Sequence, residues 1–207
     1  QIIPRVYIES ETDENDFKSF VHRISADDLK RVQTMETTIG YLMSSHKDKT
    51  DQKCIIFNDQ EISDGNPNGG SGKSLLLTAL GQFKKLVSID GKSFDANKSD
   101  FVYQRVNLDT QILAFDDVKR KFNFEALFSL ITEGITVNRK NKDEIFIPFE
   151  KSPKIIITTN YVIDGAGSSH DRRRHEVELF QYFNQFRTPL SEFGKLLFDA
   201  WEGDEWH

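Results

Sequence analysis

A run of glycines closed by lysine and serine, set between a buried-strand pattern and a helix pattern, constrains this chain more than any other feature. Residues 67–74 read Pro67-Asn68-Gly69-Gly70-Ser71-Gly72-Lys73-Ser74. Before them, Cys54-Ile55-Ile56-Phe57 is a short apolar run bounded by polar residues, the pattern of a strand covered on both faces. A loop rich in Gly, Asn and Pro at 64–72 follows, and Ser74 to Leu80 reads as the helix it feeds. Glycines let a backbone turn its N–H groups inward, and a helix N-terminus adds partial positive charge, so the segment predicts an anion cradle. Lys73 is placed to contact the β- and γ-phosphates of a nucleotide such as ATP, and the Ser74 hydroxyl to coordinate Mg²⁺. The usual G-x-x-x-x-G-K-[ST] spacing asks for glycine where Pro67 stands. Gly65 lies two residues too early, while Gly69 and Gly70 supply flexibility inside the loop.

Two further strand ends carry polar groups suited to the same chemistry. Ile112-Leu113-Ala114-Phe115 leads into Asp116-Asp117, and a strand of this kind is expected beside the phosphate-loop strand, its end facing the γ-phosphate. One carboxylate can hold the Mg²⁺ shell and the other can orient or deprotonate a water; the sequence does not decide which does which. Ile155-Ile156-Ile157-Thr158-Thr159 ends in Asn160, a neutral residue able to hydrogen-bond both a γ-phosphate and a lytic water. Twelve residues on come Arg172-Arg173-Arg174, flanked by His170 and His175, which are expected at the surface. Three adjacent arginines are hard to neutralise within one subunit, and arginine is the side chain that phosphoryl transfer recruits, often from a neighbour.

The remaining pattern is a strand–helix alternation. Leu29, Val32, Met35, Ile39 and Leu42 recur at helical spacing after a Ser25/Asp28 pair with capping-box separation. Residues 10–16 read as an exposed acidic linker, Leu86–Ile89 as a strand and Phe124–Ile131 as a helix. Ile135-Thr136-Val137 and Ile145-Phe146-Ile147 flank a turn-like 138–144, giving a hairpin with Arg139, Lys140 and Lys142 at or near its tip. Those charges can grip a nucleic-acid backbone without reading bases. Pro189, Leu190, Phe193, Leu197 and Trp201 mark a terminal amphipathic helix. The expected fold is α/β: a three-layer sandwich with a largely parallel sheet, an inserted hairpin and a short helical segment in front (1–50, then 51–207).

Composition limits the partners. The net charge is −6, so the chain is no general polycation, yet residues 119–154 carry eight basic and five acidic side chains, enough to line a local groove. No apolar run approaches the roughly 20 residues needed to span a bilayer. A single cysteine, Cys54, excludes an internal disulfide framework and suits a reducing cytoplasm; in its apolar run it reads as core. The start at Gln1-Ile2-Ile3-Pro4, with no initiator Met, reads as a piece of a longer chain. Phe122, Phe124 and Phe128 have packing rather than base-stacking spacing, and Trp201 and Trp206 read as packing residues.

In its order of motifs the chain resembles superfamily 3 helicases, the ring ATPases of small DNA viruses, phages and plasmids, and within them the poxvirus-type primase–helicases of phages and integrated elements. Residues 67–74 resemble that family's Walker A, Phe115–Lys119 its Walker B, and Thr158-Thr159-Asn160 its motif C. Gly134–Lys142 resembles its B′ hairpin, and Arg172–Arg174 its arginine-finger region. The resemblance spans about residues 53–180. It implies an AAA-like P-loop NTPase that hydrolyses ATP with Mg²⁺ to move on single-stranded DNA, assembled as a ring, hexameric by resemblance, with an upstream primase-type domain. Arg172 or Arg173 would then serve the next subunit's ATP. The same Walker motifs also occur in replication initiators and loaders, and a nucleotide-binding assembly module without turnover would share them.

Overall fold

The computed structural model describes residues 15–60, 70–95 and 101–199. Helix α1 (Asp16–Ile24) starts where the Asn15 side chain accepts the Lys18 N–H, and turns Phe20, Val21 and Ile24 inward. Ala26 and Asp27, both at positive φ (58° and 54°), reverse the chain into α2 (Leu29–Met43). Asp28, not Ser25, caps α2, accepting the N–H groups of Lys30 and Arg31. Val32, Met35, Thr38 and Leu42 form its buried stripe, while Leu29 is 73% exposed. The sequence reading missed α1 altogether, because the acidic run ahead of it masked the start at Asp16.

Strand β1 (Cys54–Asp59) leads toward α3 (Lys73–Phe83), then come β2 (Leu86–Asp90) and β3 (Ile112–Val118). A 3₁₀ turn (Phe124–Leu127) runs into α4 (Phe128–Thr132), where sequence predicted one helix. The hairpin is β4 (Gly134–Arg139) and β5 (Lys142–Pro148), followed by β6 (Lys154–Thr159), α5 (Ser168–Asp171), β7 (Arg174–Leu179) and α6 (Pro189–Phe193). The predicted terminal helix is short. Thr188 caps it with Ser191, Pro189 opens it, and Gly194 at φ 69° stops it before Leu197. Trp201 and Trp206 lie outside the described residues.

The main sheet runs β2-β3-β6-β1-β7, and every neighbouring pair is parallel. All five strands therefore end on the same edge. The reading that β3 lies beside β1 is corrected: β6 sits between them, pairing Ile55 with Ile156 on one side and Phe115 with Ile157 on the other. The central strands β1 and β6 are buried along their whole length, which explains their continuous apolar runs.

Each face of the sheet buries its own core, giving three layers. Side-chain alternation sends Ile55, Phe57 and Ile156 toward Phe20, Ile24, Met35, Leu76 and Leu80 of α1, α2 and α3. Each such aliphatic side chain contributes roughly 1.5–3 kcal/mol. The opposite face packs Ile56, Leu113, Phe115, Ile155 and Ile157 against Phe94, Phe122, Phe124, Ile131 and the hairpin residues Ile135, Val137 and Ile147. Cys54 belongs to this second core and is fully buried, and burial drives its thiol pKa up, so it is inert packing. Phe122, Phe124 and Phe128 likewise pack into or against it.

At the opposite, amino-terminal edge, the Lys154 ammonium donates to the Tyr41 carbonyl near the end of α2 and lies 3.9 Å from the Tyr41 ring centroid. A cation there completes the helix C-terminus. Burial and the neighbouring Lys84 lower its pKa to about 8, and burial beside Lys154 lowers that of Lys47 to about 8 as well.

Candidate functional site

The carboxyl edge of the sheet gathers the polar strand ends. Gly70 and Gly72 both have left-handed backbone (φ 101° and 103°), and Gly72 is the residue from which α3 starts. A Cβ on Gly72 would stand 2.9 Å from Phe20 Cε2, so α1 packs directly beneath this turn. Of the predicted cradle, Gly70, Ser71, Gly72, Lys73 and Ser74 are described, whereas Pro67, Asn68 and Gly69 lie outside the described residues.

Lys73 is buried, and its ammonium donates to Asp59 Oδ1 (2.5 Å) and Ser71 Oγ (2.9 Å). Burial lowers its pKa, while Asp59 first, and then Asp117 and Asp116, act to raise it. Those influences place both β3 carboxylates within electrostatic reach of the lysine. Ser74 is exposed on the first turn of α3.

The end of β3 is bent. The ladder to β6 shifts register between Phe115 and Val118, so Asp116 and Asp117 fall in a bulge, and Asp117 adopts φ 56°. The kink is wedged by Gly91, whose N–H donates to the Asp116 carbonyl (2.7 Å). A Cβ on Gly91 would come within 2.7 Å of that oxygen. Thr158 Oγ1 donates to Asp116 Oδ1 (2.5 Å) and accepts the Asp117 N–H (2.7 Å). Asn160 Nδ2 reaches Asp117 Oδ1 at 3.4 Å, and Lys92, just past β2, pairs with Asp117 Oδ2 at 2.5 Å. The two carboxylates thus have different surroundings: Asp116 is tied to a hydroxyl, Asp117 to an amide and a cation.

The arginines lie at the other edge. Arg174 pairs in register with Cys54, and the Cys54 N–H donates to the Arg173 carbonyl (2.7 Å). Five residue steps along β1, about 16 Å, separate that point from Asp59. The three arginines differ in how far their own chain engages them. Arg173 donates to the Ser169 carbonyl (2.9 Å) and stacks 4.5 Å from the Phe128 ring centroid. Arg174 pairs with Glu176 (3.3 Å) and Asp171 (3.5 Å). Arg172 is exposed. His170, expected at the surface, is buried between the rings of Phe124 and Phe128, with Nε2 3.1 Å from Glu125.

The hairpin turn is also tighter than predicted: Arg139 pairs with Lys142, leaving only Lys140 and Asn141 between, with Asn141 at φ 57°. Lys140 and Lys142 are exposed. Arg139 lies next to the tip as expected and is in addition an anchor, its guanidinium donating to the Val106 carbonyl (3.0 Å) and Asn107 Oδ1 (2.5 Å).

Sequence reasoning missed Asp59 and Lys92. The polar pair Asn58-Asp59 directly after the apolar run was the available signal for the first; nothing local distinguishes Lys92 from other surface lysines. No group of three or more His, Cys, Asp or Glu fit to hold a metal occurs among the described residues. Apart from Asp59, which is held by Lys73, the oxygen donors of the predicted metal site are Asp116, Asp117 and the Ser74 hydroxyl, a hard-oxygen set of the kind Mg²⁺ takes while keeping waters. No helix of the described residues is long and apolar enough to cross a membrane.

Comparison with solved structures finds the same fold in the apo A form of the NrS-1 C-terminal region, at 21% identity and a TM-score of 0.56, covering 95% of this chain and 43% of that one. A second structure of that region matches at 22% identity and the same TM-score, covering 95% and 42%. The chain thus spans less than half the length of these relatives. Among curated proteins there is no significant match. A protein-family comparison matches residues 66–174, more than half of the chain and including Lys73, both aspartates, the hairpin and Asn160. The chain therefore belongs to DUF5906, a family of unknown function.

Proposed function

We propose that this domain is an ATP-hydrolysing motor of a phage- or mobile-element-type DNA replication protein, a helicase or translocase acting on single-stranded DNA. The observation that carries the reading is the convergence of three parallel strand ends. Lys73 beyond β1, the carboxylates of β3 and Asn160 beyond β6 meet at one edge, linked by the 3.4 Å Asn160–Asp117 contact. Ligands of open parallel sheets bind outside the carboxyl ends of the strands, where neighbouring connections leave in opposite directions. The strand order, the glycine turn into α3 and the motif order resembling superfamily 3 helicases all support a P-loop, AAA-like site.

In this reading the turn at Gly70–Gly72 presents backbone N–H groups to the phosphates, and Lys73 neutralises the β- and γ-oxygens. Ser74 and Asp116 would hold Mg²⁺, which would supply neutralisation of phosphate charge when bound. Asp117, aligned by Asn160, orients or accepts the proton of the attacking water. The arginines sit too far along β1 to reach their own phosphate site, so Arg172 acts on a neighbouring subunit and activity requires a ring, hexameric by resemblance. Lys140 and Lys142 grip the DNA backbone, and the Arg139 anchor links the hairpin to the loop before β3. An upstream primase-type domain and a cytoplasmic setting belong to the same proposal.

The test is ATPase rate against protein concentration, with and without single-stranded DNA. The reading predicts a rate per subunit that climbs with concentration and with DNA. It also predicts that mixing Lys73→Ala with Arg172→Ala restores activity that neither has alone. A rate of zero at every concentration, with nucleotide still bound, would replace the motor by a nucleotide-binding assembly module.

A further inference from the structure

Asp59 is a buried acid that the proposed reaction does not use. It closes β1, and strand alternation puts it with Ile55 and Phe57 on the face covered by α1–α3, the face from which α3 presents Lys73. Its side chain is 4% exposed and that of Lys73 10%, and the lysine donates to it at 2.5 Å. The Asp59 backbone is already paired with Leu179 of β7, so the carboxylate is not needed to hold the strand. Nor does stability account for the pair as a whole, since a buried ion pair is typically no more stable than an apolar pair of similar size. Its other consequence is electrostatic. Asp59 occupies the Lys73 ammonium directly, and Asp116 and Asp117 also act on it. Among the described residues only Asp117 of these three carboxylates has a second cation, Lys92, so negative charge remains in excess where a polyanion is to be received.

We propose that Asp59 is a positioning residue that competes with nucleotide polyphosphate for Lys73, weakening nucleotide binding and returning the lysine to its resting contact as product departs. The inference rests on the nucleotide reading of the site. A phosphate that engages Lys73 must share or displace Asp59, and the displaced carboxylate then stands unpaired beside a polyanion in a buried setting. The effect falls on ligands whose β- or γ-phosphate reaches the lysine, so ATP and ADP feel it while AMP does not. Tight binding of substrate and product would otherwise lower KM without raising turnover.

The experiment is calorimetric titration of Mg·ATP, Mg·ADP and AMP into the wild type, Asp59→Asn and Asp59→Glu, with steady-state kinetics alongside. Asp59→Asn keeps size and hydrogen bonding but removes the charge. It is expected to bind ADP and ATP at least tenfold more tightly with AMP unchanged, and to lower both KM and kcat as product release slows. Asp59→Glu restores the weaker affinities. A merely structural residue gives the opposite sign, because damage to the turn weakens binding. Should Asp59→Asn fail to fold, Asp59→Ser carries the same expectation. Wild type that binds Mg·ADP while the folded, uncharged variant binds it no more tightly overturns this inference alone. Wild type that binds no nucleotide overturns the functional reading as well.

Discussion

Gly72→Ala tests whether α1 and the glycine turn form one unit. Gly72 sits at φ 103°, where an L-residue pays roughly 1–2 kcal/mol. The new methyl would lie 2.9 Å from Phe20 Cε2, 3.0 Å from Cζ and 3.3 Å from Ile24 Cγ2. The ring cannot swing aside freely: Phe20 is fully buried and stacks on Phe17 and Phe183 at centroid distances of 6.0 and 5.7 Å. Overpacking of that kind costs about 1–3 kcal/mol, so the whole penalty is about 2–5 kcal/mol. With a urea m-value of about 2–3 kcal/mol/M, the unfolding midpoint should fall by roughly 1–2 M. Phe20→Leu makes room, so Gly72→Ala should cost about 1 kcal/mol less in that background, a coupling measurable by a double-mutant cycle. Gly81→Ala is the control. It lies on an exposed side of α3 with nothing within 4 Å of its Cβ position, and should be neutral or stabilising by up to about 1 kcal/mol. A Gly72→Ala protein within 0.5 kcal/mol of wild type, or one with the same penalty in both backgrounds, would refute the packing argument.

Lys73→Ala should lower stability by about 3–5 kcal/mol as well as abolish turnover, because it strands the buried Asp59 carboxylate; urea unfolding of Lys73→Ala against Lys73→Ala/Asp59→Asn should recover most of that loss. Arg173→Ala should lower the melting temperature through its lost stacking on Phe128, worth about 0.5–2 kcal/mol, whereas Arg172→Ala should leave melting unchanged and remove the concentration-dependent ATPase. Lys142→Glu should retain basal ATPase and lose DNA stimulation, while Arg139→Ala should also loosen the hairpin, read as faster amide exchange across β4 and β5. Lys47 and Lys154 titrate near 8 when folded and near 10.5 when unfolded, so above pH 8 the unfolded chain holds more protons and stability rises with pH. That rise should begin near pH 8 and lose about half its slope above about pH 9, where the buried Cys54 thiol opposes the two lysines, and Lys154→Met should halve its initial slope in pH-dependent urea unfolding.

Much of this edge of the sheet was legible because strand burial and strand-end chemistry coincide in sequence. The continuous runs at Ile112–Phe115 and Ile155–Thr158 exposed β3 and β6, and their first polar residues are the ones that face the site. What stayed hidden depends on distant partners. Nothing near Arg139 encodes the Val106 carbonyl, and nothing near Arg173 encodes the Phe128 ring. The order of strands was out of reach for the same reason, since the intervening position of β6 is set by pairing across about a hundred residues. His170 looked solvent-bound between charged neighbours, yet a helical turn and the bare Cα of Gly165 let it into the core. Asp59 was overlooked because the apolar run appeared to stop at Phe57, although the strand continues for two residues.

The central claim is that a nucleotide triphosphate engages Lys73 at the start of α3. Titration calorimetry of Mg·ATP into wild-type protein and into Lys73→Arg, which retains a cation for Asp59 and so the fold, tests it most directly. The account predicts saturable heat at one site per chain in the wild type and a loss of at least tenfold in affinity in the variant. Equal affinity in both proteins, or no heat in a wild type shown to be folded, would contradict it.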